Sequence, residues 1–196
     1  EVVRAAKKAK IPIRVGVNSG SIRKGQGSRV IPRLCSGQEG QGKIVVNKEE
    51  LKYKISELLP EITCDDSSEF LTFTIPSGEL LPLMQSLYTK KEFDFNYLFC
   101  LTCIDWKDHL MMVYHLLSKS NDHSVVIKAK IADINNPEIE SVNSFWKTAE
   151  LHENEVFDLF GVKFLNHPNL RRIFLEEDWV GYPLRKNYTD PNMIKL

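Results

Sequence analysis

This 196-residue chain has no run of about 18 apolar residues, so nothing in it reads as a membrane-spanning helix. No secretory signal pattern is visible. There is no G-x-G-x-x-G, no P-loop and no nucleophile elbow. Cysteine is scarce, with Cys35, Cys64, Cys100 and Cys103 the full set. Only the last two form a C-x-x-C, the spacing of a metal half-site or redox pair. They lie in an unbroken β-type run, Tyr97 to Trp106, and strand residues three apart point to opposite faces. Two thiols so placed cannot grip one ion, no second C-x-x-C exists, and a cubane cluster needs four thiolates. They therefore read as small apolar residues, and four reduced cysteines fit a cytosolic chain.

What is present is unevenly spread. The chain carries 26 basic and 26 acidic residues, but residues 1–42 hold nine bases and two acids, leaving 17 bases and 24 acids in the rest. Seven of the ten glycines also fall in 1–42. Such a shift marks a domain boundary. Residues 1–24 read as the end of an amphipathic helix, a strand from Ile13 to Val17 and a small-residue turn, one α–β step of a sheet or barrel. Residues 25–45 read as a glycine-rich linker. Because one step cannot close a barrel, and because the chain starts at Glu1, the expectation is a foreign or truncated leader joined to a domain at 46–161. An extended arm at 162–196 follows.

Within the main domain, Asn47 with Glu50 reads as a helix start, with Leu51, Ile55, Leu58 and Leu59 at helical spacing before Pro60. Glu69 to Ile75 alternates as a strand. A helix is expected over roughly 79–91, with Pro82 in its first turn. Strands are expected near 96–105, 109–118 and 123–132, joined by short links as an antiparallel meander, and a helix over Asn143 to Phe160. The class is α+β, a ferredoxin-like antiparallel sheet with helices on one face, followed by an extended irregular C-terminal arm.

The arm is the most informative stretch. Beyond about residue 161 neither helical nor strand periodicity persists, yet Phe164, Leu170, Ile173, Phe174, Leu175, Trp179 and Leu184 are too many apolar side chains to leave in water. Such a segment is expected to lie on a partner protein. Of the acids before it, Glu150 pairs with Glu153 and Glu155 with Asp158 along the helix, so the four do not converge on one ion. The five histidines are scattered, and Asp105, Asp108 and His109 read as a turn between strands. Arg171, Arg172, Arg185 and Lys186 suit bidentate pairing with carboxylates. The acidity of the domain weighs against a nucleic-acid partner.

Two resemblances carry these residues further. Glu153, Glu155, Asp158, Phe160, Gly161, His167, Pro168, Leu170, Arg171, Arg172, Ile173, Asp178, Trp179, Pro183, Leu184, Arg185 and Lys186 match a family signature. The family it resembles is the C subunit of bacterial NADH:quinone oxidoreductase, respiratory complex I, shared with its mitochondrial and chloroplast counterparts. Asn154 stands where that family has arginine. The resemblance reaches back through Asp105-Trp106, Val113 to Leu116, Trp146 and Ala149 to about residue 47. It implies a non-catalytic structural subunit in the quinone-proximal peripheral arm, on the cytoplasmic face of a bacterial inner membrane. Membrane association would come only through the complex. Its partners would be the large quinone-site subunit and the cluster-bearing subunits. No cofactor would be held in this chain, with flavin, iron–sulfur clusters and quinone in the partners. The implied interface is Glu153, Glu155, Asp158, His167, Arg171, Arg172, Asp178, Trp179, Arg185 and Lys186. Separately, residues 1–24 resemble one barrel step of the isoprenoid-pathway enzyme that makes hydroxymethylbutenyl diphosphate. There Arg14, Asn18 and Ser21 would match its diphosphate-binding residues, which offers the alternative of a fragment of that enzyme.

Overall fold

A computed structural model describes residues 47–59 and 62–190, so the readings made for the leader, the linker, Arg14, Asn18, Ser21 and Cys35 lie outside the described residues. Helix α1 is Lys48–Ser56, and it buries Leu51 and Ile55. Asn47 occupies the N-cap position, but its side chain makes no capping bond. Strands β1 (Thr63–Asp65) and β2 (Leu71–Pro76) follow, then a tight turn over Ser77–Glu79 and helix α2 (Leu80–Thr89). Pro82 sits in the first turn of α2, where its missing N–H has no intrahelical acceptor to lose. Strands β3 (Tyr97–Asp105), β4 (Leu110–Ser118) and β5 (His123–Ile131) form the expected meander, each boundary within one residue of its reading from the sequence. Short strand β6 (Glu138–Glu140), helix α3 (Ala149–Phe160) and short strand β7 (Lys163–Leu165) complete the order.

The main sheet runs β1-β2-β5-β4-β3. The α+β class holds, with one correction to the expected all-antiparallel sheet: β2 and β5 pair in parallel, from Leu71 opposite Val125 to Pro76 opposite Lys130. The cause is connectivity. Helix α2 carries the chain from β2 to the far edge, β3, and the meander then walks back until β5 lies beside β2 in the same direction. Only a crossover of this length permits a parallel pair.

Alternation decides which face is covered. Leu71, Phe73 and Ile75 of β2, Leu110, Met112, Tyr114 and Leu116 of β4, and Val125, Ile127 and Ala129 of β5 join one core with Leu51, Leu83, Leu87, Trp146, Val156 and Phe160 from the helical side. A bulge at Phe99 keeps Leu98 and Leu101 on that same face although they are three apart. Cys103 faces this core, and burial pushes its thiol up to about 12. Cys100 lies opposite His115 on the other face.

Helix α3 begins six residues later than the sequence reading. Residues 143–148 are turns instead. Trp146, 4 % exposed, drives its indole N–H into the Phe95 carbonyl at 2.9 Å, and Thr148 donates to the Leu98 carbonyl at 3.1 Å. Docking this corner on the entry to β3 outweighs continuing the helix.

Candidate functional site

The region from His167 to Lys186 is not loose: it is laced to helix α3. Glu150, Asn154 and Asp158 stand at i, i+4 and i+8, one row along a helix face. His167 Nε2 donates to the Glu150 carbonyl at 3.2 Å, since Nδ1 accepts the Asn169 N–H. Asn154 Oδ1 accepts the Arg171 N–H at 3.0 Å. Asp158 Oδ2 accepts three consecutive amides, Ile173, Phe174 and Leu175, at 3.0, 2.7 and 3.0 Å. Its Oδ1 accepts Arg172 Nη1 at 2.9 Å. The segment thus runs beside the helix in the same direction, receiving one fastening per turn over a rise of about 12 Å.

The helix C-terminus is closed by the same segment. An α-helix leaves its last four carbonyls without intrahelical donors. Here the Phe157 carbonyl takes the Gly161 N–H, the Asp158 carbonyl takes Arg172 Nη1, the Leu159 carbonyl takes the Leu184 N–H, and the Phe160 carbonyl takes Arg185 Nε. Two guanidinium groups therefore lie at the negative end of the helix dipole. Arg185 also reaches the Ile134 carbonyl at 2.6 Å. Further on, Asp105 Oδ2 takes the Lys186 N–H at 2.8 Å while its Oδ1 takes the Lys107 N–H, which ties the end of the segment to the β3–β4 hairpin.

Gly161 makes the exit from α3 possible. Its φ of +73° is left-handed, and the ring of Tyr182 covers it so closely that an added Cβ would meet ring atoms at 2.3–2.6 Å. Gly161→Ala is expected to cost about 1–2 kcal/mol from the backbone alone, and to push Tyr182 off the helix end. A urea-denaturation midpoint unchanged from wild type would contradict this.

The remaining acid of the helix is of another kind. Glu153 is fully buried, its carboxylate accepting the Ser141 hydroxyl at 2.6 Å and the Val142 N–H at 2.8 Å. Among the described residues no lysine or arginine pairs with it. Burial pushes its carboxyl up to about 7, against the pull of those two donors. The buried His167 ring lies 3.7 Å away, beyond hydrogen-bond reach.

The ten residues expected at a partner interface divide evenly. Glu153, Asp158, His167, Arg172 and Arg185 are engaged inside the chain. Glu155, Arg171, Asp178, Trp179 and Lys186 are exposed. Phe174, Val180 and Leu184 face outward with Trp179, and Val180 is 86 % exposed. Sequence reasoning missed Ser141, Tyr182 and Ile134. It also set Asp105 aside as part of a turn, although its place on the core side of β3 was a usable sign. Among the described residues no three His, Cys, Asp or Glu side chains gather as metal ligands, and no helix is long and apolar enough to cross a membrane.

Taken together, the fold and this lacing define a one-sided α+β domain whose C-terminal segment is bound as an outer strap with an apolar exterior. The chain belongs to the family described as respiratory-chain NADH dehydrogenase, 30 Kd subunit, whose pattern matches residues 73–192. It is 36 % identical over 137 residues to the C subunit of the NADH-quinone oxidoreductase of Moorella thermoacetica, covering 69 % of this chain and 90 % of that one. It is 42 % identical over 117 residues to the C/D subunit of the Phocaeicola vulgatus enzyme of the same name, covering 59 % of this chain but only 22 % of that longer protein. Among solved structures, a chain in the structure of the membrane-bound sulfane sulfur reductase, an archaeal respiratory membrane complex, superposes with a TM-score of 0.61 at 26 % identity, over 72 % of this chain and 85 % of that one.

Proposed function

We propose that the chain is a non-catalytic structural subunit of the quinone-proximal peripheral arm of a complex I-type NADH:quinone oxidoreductase, clasping the quinone-site subunit and the cluster-bearing subunits. In this reading it sits on the cytoplasmic face of a bacterial inner membrane and is held there by the complex. Flavin, iron–sulfur clusters and quinone belong to its partners. The carrying observation is the division of labour in the strap. Its backbone is fixed from inside by Asn154, Asp158 and Asp105, while Phe174, Val180 and Leu184 point outward, 64 %, 86 % and 52 % exposed. A segment held rigid in this way loses little conformational entropy on docking, and a cluster of exposed large apolar side chains marks a protein contact.

The expectation that Arg171 and Arg172 both reach toward partner carboxylates needs adjusting. Arg172 is committed to Asp158, so removing it destabilises the chain itself. The test therefore uses outward residues. Phe174→Asp with Val180→Asp should leave the unfolding midpoint of the purified chain almost unchanged, because surface changes of this kind cost about 0.5 kcal/mol or less. The same pair should prevent assembly of the membrane complex on a native gel. Quinone reductase activity should fall in proportion to the complex lost. Full assembly with the doubly substituted chain would overturn the reading, and full assembly with lost activity would point to a direct part in the chemistry.

A further inference from the structure

The first fastening of the strap depends on one donor with two acceptors in reach. The side chains of His167 and Glu153 are both wholly out of solvent. His167 Nδ1 accepts the Asn169 N–H at 3.1 Å, which fixes the tautomer with the ring proton on Nε2. That Nε2–H donates to the Glu150 carbonyl at 3.2 Å, and Glu153 Oε2 lies 3.7 Å from the same nitrogen. A movement of about 1 Å would bring ring and carboxylate to the length of a charge-assisted bond, roughly 2.7–2.9 Å. Which acceptor takes the proton depends on charge. Against a protonated carboxyl the closer carbonyl wins. Against a carboxylate it does not, because a charge-assisted bond is about twice as strong as a neutral one.

The other groups around Glu153 are fixed or neutral. On its own helix, Glu150 meets His167 through its backbone carbonyl, and Asp158 is held by Arg172. Just beyond β6, the Ser141 hydroxyl and the Val142 N–H already donate to the carboxylate. The acids of β6 are engaged elsewhere, Glu138 with Lys163 of β7 and Glu140 with Asn166. From β4, the Tyr114 hydroxyl is buried and finds no hydrogen-bond partner among the described residues, while burial and then the Glu153 charge hold its phenol in the protonated form. From β3, burial keeps Cys103 a thiol, pushed up to about 12. The His167 N–H is therefore the donor free to answer a charge on Glu153.

We propose that Glu153 and His167 form a proton-operated latch at the start of the strap: with the carboxyl protonated, His167 is fastened to the Glu150 carbonyl, and when that proton leaves for solvent the ring turns its Nε2–H onto Glu153. The ring stays neutral in both positions, and Asn169 follows it through Nδ1. Burial raises the Glu153 carboxyl to about 7, so the changeover falls around neutral pH. The new bond offsets only part of the cost of burying the charge. The chain as a whole therefore loses stability over the same range in which this one fastening tightens. The latch is a property of the chain by itself and does not rest on the assembly reading above.

The test is nuclear magnetic resonance of the full chain carrying nitrogen-15 histidine, with His167→Gln assigning the ring among the five histidines. The titration runs about two pH units either side of the Glu153 value. The His167 Nε2–H proton is expected to step downfield with a midpoint near 7 as it gains the charge-assisted bond. The Asn169 amide should step with it, while Nδ1 keeps the shift of an unprotonated acceptor. Glu153→Gln should abolish the step and leave the ring on Glu150. Ser141→Ala removes a donor from the carboxylate and should move the midpoint up by about one pH unit. No step in the wild type, the same step in Glu153→Gln, or protonation of Nδ1 as the sole change would each overturn the proposal. If Glu153→Gln does not fold, Ser141→Ala decides alone, and an unmoved midpoint overturns the latch.

Discussion

Replacing Asp158 with alanine is expected to cost about 3–5 kcal/mol of folding stability and to release the strap from helix α3, the largest effect of any single substitution here. The carboxylate is fully buried and answers four donors: the amides of Ile173, Phe174 and Leu175, and the guanidinium of Arg172, which is itself only 15 % exposed. Alanine leaves the three amides without an acceptor and Arg172 without its carboxylate, although the guanidinium keeps the Asp158 and Trp179 backbone carbonyls. Each unsatisfied buried donor costs about 1–3 kcal/mol, more for the charged one, although relaxation of the strap recovers part of the sum. Hydrogen exchange reads the local event directly: the amides of 173–175 should lose their protection while those of β4 and β5 keep most of theirs. Continued protection at 173–175 in the alanine variant would show that the strap is held by something else. Asp158→Asn keeps one acceptor oxygen and should fall between the two.

The pH dependence of this fastening follows from its electrostatics. Burial by itself raises the Asp158 carboxyl, but the three amides and Arg172 outweigh burial and hold it below the ordinary range. A carboxyl depressed in the folded state stabilises the fold above its unfolded pKa, and that contribution is lost as the pH drops through the folded value. The strap should therefore loosen in acid and be fully secured at neutrality.

Much of the fold was legible because the sheet is one-sided. Leu110, Met112, Tyr114 and Leu116 alternate with residues that need no core partner, and such alternation defines β4 almost to the residue. The same holds for β5. Strands β1, β6 and β7 escaped notice because three residues carry no detectable period. The start of α3 was misplaced because apolar spacing continues upstream through Trp146, whose side chain is fixed by a carbonyl 51 positions away. The strap shows the same limit more sharply. Its lack of periodicity was visible, but its attachment joins Asp158 to residues 15–17 positions on, and Asp105 to Lys186, 81 positions on. Contacts of that kind come from tertiary placement, which no local pattern encodes. A buried acid on a strand's core side, like Asp105, or on a helix's apolar side, like Glu153, is the trace they leave in the sequence.

Glu153 leads to the second large effect, of the opposite sign. Glu153→Gln is expected to make the chain more stable above neutral pH. The side chain is fully buried, pairs with no lysine or arginine among the described residues, and has its carboxyl raised from the ordinary glutamate value of 4.5 to about 7 by burial, against the opposing bonds from Ser141 and Val142. Between those two values the folded chain binds a proton that the unfolded chain has released. Its contribution is therefore fully present below the unfolded value and is lost as pH rises through the folded one. A shift of this size corresponds to about 3 kcal/mol across the window. Glutamine has the shape of the protonated acid. Its carbonyl can accept the Val142 amide and its NH₂ can donate to the Ser141 hydroxyl oxygen, so little is lost at low pH. The wild-type stability curve should decline from about pH 5 to pH 8, and the variant curve should be flatter and cross above it. Urea unfolding at half-unit pH steps distinguishes the two. Parallel curves would mean that Glu153 carries the same charge in the folded and unfolded chain, and the buried carboxyl would then not be a neutral acid.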